Sequence, residues 1–221
     1  MALPESVRLK FRRAEEHRET LKIAIDGYFE AAKDKIWADA GGHAVALIAP
    51  DLPWQIPYII GDCFQNLRSS LDYLAQELAT ASGSNPTDHT SFPVCRDAQC
   101  FGNKITERAL AGISVEARAE IERVQPCRAV NDPARSNLWI LHELCNINKH
   151  RRIYVTLLQV YSAQTAQSVT SADEVKMHRG LMADVAIKEG IVDERVLPFT
   201  EYMIRFIDDW FLTPFEQKFF R

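Results

Sequence analysis

Two stretches of the chain carry side chains that can move protons or hold an anion. The first, Leu138-Trp-Ile-Leu-His-Glu-Leu-Cys-Asn-Ile-Asn-Lys-His-Arg-Arg152, gathers two imidazoles, one ammonium and two guanidiniums within residues 142–152. Histidine exchanges protons near neutral pH, so His142 and His150 are candidate acid-base groups. Lys149 and Arg151 could steady phosphate charge. At helical period Leu138, Ile140, Leu141, Leu144, Cys145 and Ile147 share one half of the wheel, while His142, Glu143, Asn146, Lys149 and His150 share the other. Asn148 falls on the apolar half, where a buried amide needs a hydrogen-bond partner on the backbone or on a neighbouring helix. The same cations also complement the negative end of a helix dipole without doing any chemistry.

The second stretch is Gly61-Asp-Cys-Phe-Gln-Asn-Leu-Arg-Ser-Ser-Leu-Asp-Tyr73. Arg68 and Asp72 lie one turn apart at the border of the apolar face, with Asn66, Ser70 and Tyr73 on the opposite border. On an exposed surface such a pair contributes about 0.3 to 0.5 kcal/mol. Between helices it could instead orient Asn148 or His150. The two stretches define a candidate catalytic set of His150, His142 and Arg68, and a candidate binding or structural network of Asn66, Asp72, Asn146, Asn148, Lys149 and Arg151.

The pairing of Asn-Leu-Arg-Ser-Ser-Leu-Asp (66–72) with Leu-x-x-Leu-x-x-Ile-Asn-Lys-His-Arg (141–151) resembles a group of uncharacterised bacterial and actinobacterial helical proteins. More distantly, arginine and histidine on facing polar surfaces of a helical bundle resemble the HEPN superfamily, many of whose members are metal-independent ribonucleases acting as dimers. In that superfamily an arginine, a short spacer and a histidine share one helix. Here the spacing is met by Arg12 to His17 and by Arg135 to His142, whereas Arg68 with a four-residue spacer leads to Tyr73.

Other chemistries lack their residues. His142-Glu-Leu-Cys-Asn146 has asparagine where a zinc-protease helix needs its second histidine. His89, Cys95, Cys100 and Cys127 include no close CxxC pair. The phosphate-binding GxxxxGK[ST] and GxGxxG signatures and the GxSxG nucleophile elbow do not occur. The expectation is a protein with no metal and no cofactor.

The chain that must position these groups has 221 residues, 30 acidic against 26 basic side chains, a net charge of −4 and 47% hydrophobic residues. That charge excludes a wholly basic nucleic-acid coat, although RNA or a small anionic ligand could still meet a local basic patch. Residues 1–13 lack the apolar core of a secretory signal. The most apolar stretch, residues 44–61, is broken by Asp51, Gln55 and three prolines, so no membrane span is expected and the protein reads as cytoplasmic. Five cysteines without framework spacing read as reduced thiols.

Periodicity predicts a long amphipathic helix over 5–37, a short strand over 43–49, and a core helix over 54–80 built on Ile60, Phe64, Leu67, Leu71, Leu74 and Leu78. A short helical turn near 102–111 and a helix over 114–124 capped by Ser114 should follow. Asp132-Pro133 should start a helix running to about 149, before a strand over 152–161. Strands are favoured in 175–192, and a last helix over 197–210 should carry Phe199, Tyr202, Met203, Phe206 and Trp210 on one side. Polar loops are expected near 82–91, 126–133 and 162–174. The sum is a mainly α protein, a helical bundle with a small antiparallel β-sheet (α+β), as a single domain over 1–221. Phe215, Phe219 and Phe220 fit no common face with the last helix and could dock on a second copy, making a homodimer through the aromatic C-terminal segment.

Two functional readings follow. One is a noncatalytic binding or interaction module held by a buried Arg/Asp/Asn/His network; the other is a HEPN-like, metal-independent ribonuclease at a cleft between helices.

Overall fold

The computed structural model describes residues 2–32, 37–41, 44–48, 50–129, 132–161 and 181–220. Two long helices form the base of the fold. α1 (Glu5–Ala32) buries Val7, Ala14, Leu21 and Ile25 at the spacing of one helical face. α2 (Ile56–Ala81) starts with Pro57 in its first turn, where the missing N–H costs nothing. The six apolar residues expected to build its core stripe are all at most 1% exposed. α1 packs along α2 more extensively than any other pair of helices. Truncating a residue such as Leu71 to alanine in this interface should cost about 2 to 5 kcal/mol.

The hairpin of β1 (Trp37–Gly41) and β2 (Ala44–Ile48) pairs Trp37 with Ile48 and Gly41 with Ala44. The expected strand is present, but the helix expected to run to 37 gives way to a strand: Trp37–Gly41 finds a ladder of backbone partners in β2 that periodicity does not reveal.

Short helices cover the middle of the chain: α3 (Ala98–Phe101), α4 (Lys104–Ala109), α5 (Val115–Arg123) and α6 (Pro126–Ala129). Ser114 caps α5 as expected, its hydroxyl accepting from the Ala117 N–H at 3.2 Å. α6 occupies part of the loop expected at 126–133. Asp132 caps only a 3₁₀ turn, Pro133–Arg135, through Ala134 N–H at 3.1 Å. α7 (Asn137–His150) begins one turn later than expected, because Ser136 is extended and its Oγ takes the Trp139 N–H at 3.1 Å.

A three-stranded antiparallel sheet follows, in the order β3 (Val155–Tyr161), β4 (Leu181–Glu189), β5 (Val192–Arg195). Val155 pairs with Ile187 and Tyr161 with Leu181. The loop expected at 162–174, and the first residues of the strand region expected over 175–192, lie outside the described residues. Val185 and Ile187 are fully buried beneath α8 (Val196–Ile207). One hydrophobic core runs from Leu3 to Phe220 through both long helices, α7, the sheet and α8. The protein is therefore mainly α with a small antiparallel sheet.

Beyond α8 the helix widens into a π-helical turn, Asp208–Leu212, before α9 (Thr213–Phe219). Pro214 has no N–H for the Trp210 carbonyl, a circumstance that widens or kinks a helix. The shifted register sends Phe211, Phe215 and Phe220 inward, where Phe92 meets Phe211 at 5.6 Å and Phe215 at 6.5 Å between ring centroids. Phe215 and Phe220 thus fill the chain's own core, and Phe219 is half-buried, so the homodimer surface expected there is without its main rings. The face expected of the last helix is also divided: Phe199 and Met203 are buried, but Tyr202 and Trp210 are 51% and 56% exposed. Glu216 of α9 reaches the other end of the chain, accepting from the Leu3 N–H at 2.8 Å and from Arg8 at 2.9 Å.

Cys95 and Cys100 are joined by a disulfide, contrary to the expectation of reduced thiols throughout: Asp97 caps α3 and folds the two Cα atoms to 5.4 Å. Cys63, Cys127 and Cys145 are free thiols. No helix among the described residues is long and apolar enough to cross a membrane.

Candidate functional site

α2 and α7 pack against each other and bring the two polar stretches onto neighbouring surfaces. Arg68 is 13% exposed and sits at the centre of a clamp. Its Nη1 donates to Asp72 Oδ1 at 2.7 Å and its Nη2 to the Phe92 carbonyl at 2.6 Å. The same Asp72 oxygen accepts from the Phe92 N–H at 3.0 Å. An ion pair one turn apart on α2 therefore satisfies both backbone groups of a residue twenty or more positions away, whose ring is buried against the C-terminal aromatics. Phe92 carries no sign of this partnership in the sequence, because nothing there marks which backbone an arginine will grip.

His142 is a proton-moving group within electrostatic reach of this clamp. Burial pulls its basicity below the ordinary imidazole value of 6.5, and the charge of Arg68 adds to the effect, so both favour the neutral ring. It packs on Trp139, with ring centroids 5.5 Å apart, and the Arg96 guanidinium lies 5.2 Å over the Trp139 ring. Guanidinium, indole and imidazole thus follow one another across the start of α7. Below them, Cys145 is buried and its thiol is pushed up to about 12 by burial, which makes it inert as a nucleophile.

The C-terminal end of α7 is arranged differently. Asn146 joins Glu143 and Lys149, each at 3.4 Å, in a chain along the helix surface. Lys149 and His150 are exposed, and the His150 side chain makes no hydrogen bond or ion pair among the described residues. Arg151 is bidentate to Glu189 of β4, at 2.9 and 2.7 Å, and Glu189 also accepts from the Tyr154 N–H at 2.6 Å. The Glu189 side chain is 4% exposed, and the Arg151 hydrogen bonds hold its carboxyl below the usual range. Nothing in the spacing of residues 141–152 points to this tether from helix to sheet.

Asn148 is half-buried rather than buried, and its side chain makes no hydrogen bond among the described residues. Its amide lies against Gly61 of α2, where a Cβ would come within 2.1 Å of Asn148 Oδ1. Gly61 is the residue that lets α2 and α7 approach so closely. Asn66 donates to the Asp62 carbonyl of its own helix at 2.8 Å. The expected single network is therefore divided: Arg68 and Asp72 hold Phe92, Asn148 fills the gap at Gly61, Arg151 holds Glu189, and His150 faces solvent.

Among the described residues no three His, Cys, Asp or Glu side chains come together to hold a metal ion. Comparison with protein-family models, with curated proteins and with solved structures finds no match.

Proposed function

We propose that the protein is a noncatalytic binding or interaction module, kin to the uncharacterised bacterial helical proteins its paired motifs resemble, in which α2 and α7 form the rigid frame. The commitment of its arginines carries this reading. A guanidinium that steadies phosphate in a transition state needs open donors aimed at the reacting atoms. Arg68 spends its two terminal nitrogens on Asp72 and the Phe92 carbonyl, and Arg151 spends its own on Glu189. Both are fasteners between elements distant in sequence.

The imidazole of His142, shifted toward its neutral form by burial and by the charge of Arg68, favours a second reading, metal-independent RNA cleavage in the manner of the HEPN superfamily. Incubating the purified protein with mixed RNA in excess chelator separates the two. The module reading expects intact RNA for wild type, His142→Ala and His150→Ala alike. Cleavage by wild type that either substitution abolishes would replace it with the ribonuclease.

A further inference from the structure

At the opposite end of α7 from His150 and Arg151, a cavity of about 390 Å³ opens between residues 123–128 and 135–138 on one side and α8 with its π-helical turn on the other. That volume lies in the range of small-molecule sites. Arg123, Arg128 and Arg135 line it together with Tyr202, Phe206 and Trp210. Val124, Leu138 and Phe211 are buried and give it an apolar floor. Ser136 and Asn137 bring the positive, N-terminal end of α7 to the same place.

Of the three arginines, Arg128 and Arg135 are held less firmly than Arg68, while Arg123 gives two of its nitrogens to Glu120. Arg123 pairs with Glu120 and Arg128 with Glu122 at 2.8 Å, while Arg135 approaches Asp132 no closer than 3.5 Å and is 88% exposed. Nη1 of Arg123, Nε and Nη1 of Arg128, and both terminal nitrogens of Arg135 make no hydrogen bond among the described residues. Three nearby carboxylates temper the positive field, but five guanidinium nitrogens remain open to an anion. The Tyr202 hydroxyl accepts from Asn137 Nδ2 at 2.6 Å, which leaves its own proton to donate. Trp210 is held in a tilted stack with Phe206, 6.4 Å between centroids, yet stays more than half exposed. It is presented by the π-helical turn, a distortion found often at functional sites.

The geometry points to a binding site for a small planar aromatic anion, a flat ring bearing a carboxylate or a phosphate. The exposed rings offer stacking faces to the flat part and the arginines fork onto the charged part. The assignment deepens the binding-module reading and rests on it, by naming where the module binds and what class of molecule it takes. Carboxylate and phosphate sources share this chemistry, and the cavity volume suits a molecule no larger than a mononucleotide.

Isothermal titration calorimetry on the full chain tests it, with indole-3-acetate and adenosine 5′-monophosphate as the two ring-bearing anions, and inorganic phosphate and adenosine as probes lacking ring or charge. At least one ring-bearing anion should bind saturably at one site, at least tenfold more tightly than phosphate or adenosine, and whichever of the two binds identifies the source. Trp210→Ala and Arg135→Ala, both at exposed positions and checked for unchanged melting, should each weaken that binding about tenfold. Arg13→Ala, on the outer face of α1, should leave it unchanged. Failure of both anions to bind saturably below about 1 mM, the range of weak ligands, or variants that bind like wild type, would overturn the assignment. So would an equal loss in Arg13→Ala, which would mean a diffuse charge effect, or a hexaribonucleotide that binds tenfold more tightly than either anion. Loss of ligand binding with RNA left intact removes this site alone, whereas His142-dependent RNA cleavage removes the module reading, so the two failures are read separately.

Discussion

The two ends of α7 hold similar charges and use them in opposite ways. At the C-terminal end, the arginine that stands out in the sequence is spent on a nearly inaccessible carboxylate, and the adjoining asparagine fills a gap against a glycine. At the N-terminal end, three arginines from a less conspicuous stretch keep donors open beside exposed rings. Of the cations concentrated in sequence, the fold thus consumes Arg151, while Lys149 and His150 beside it stay exposed. The arginines gathered beside exposed rings are assembled from segments that meet only in space.

The contrast breaks most visibly at the clamp. Arg68→Ala should destabilise the protein by about 2 to 3 kcal/mol, because it strips Asp72 of its counter-charge and leaves the Phe92 carbonyl bare. Chemical denaturation gives the value directly, and a loss below about 0.5 kcal/mol would mean that Arg68 is not a fastener. Gly61→Ala should cost about 1 to 3 kcal/mol, since the new Cβ collides with the Asn148 amide. Adding Asn148→Ala should recover much of that loss, and a double-mutant cycle with no coupling would contradict the close approach.

A smaller effect belongs to the tether. Glu189→Gln should cost about 1 kcal/mol near neutral pH, discounted for the exposure of Arg151. The folded carboxyl is held below its ordinary value of 4.5, so its contribution is complete above that pH and is lost as pH falls through the lower folded value. The difference between wild type and variant should therefore shrink in acid; a gap that widened there would reverse the sign. Smallest of all, Arg135→Ala should change stability by less than about 0.5 kcal/mol, as an exposed arginine with a distant partner must. A larger loss would erase the distinction between the two ends of α7.

Elements with a clean apolar period are legible in the sequence: α1, α2, α5 and most of α7 follow from spacing and caps, because burial of one face dominates their energetics. Trp37–Gly41 is not, since a strand of this kind depends on its partner. The start of α7 is ambiguous because Asp132 and Ser136 are both good caps, and only the extended backbone at Ser136 decides between them. Of the candidate site, the Arg68–Asp72 pair is legible from its spacing on α2, but its grip on Phe92 and the partnership of Arg151 with Glu189 join residues far apart in sequence. Tyr202, Phe206 and Trp210 do carry a signal. Their four-residue spacing puts them on the same arc as the buried Phe199 and Met203, and an aromatic stripe on an amphipathic helix is more often core than binding surface.

The contact between Glu216 and Leu3 bridges 213 positions, nearly the whole chain. During synthesis α1 emerges well before α9 and that contact can close only after α9 has formed, so until then α1 is held by its apolar packing on α2. A circular permutant that links residue 220 to residue 2 and opens the chain within 82–91 would turn this long-range contact into a local one.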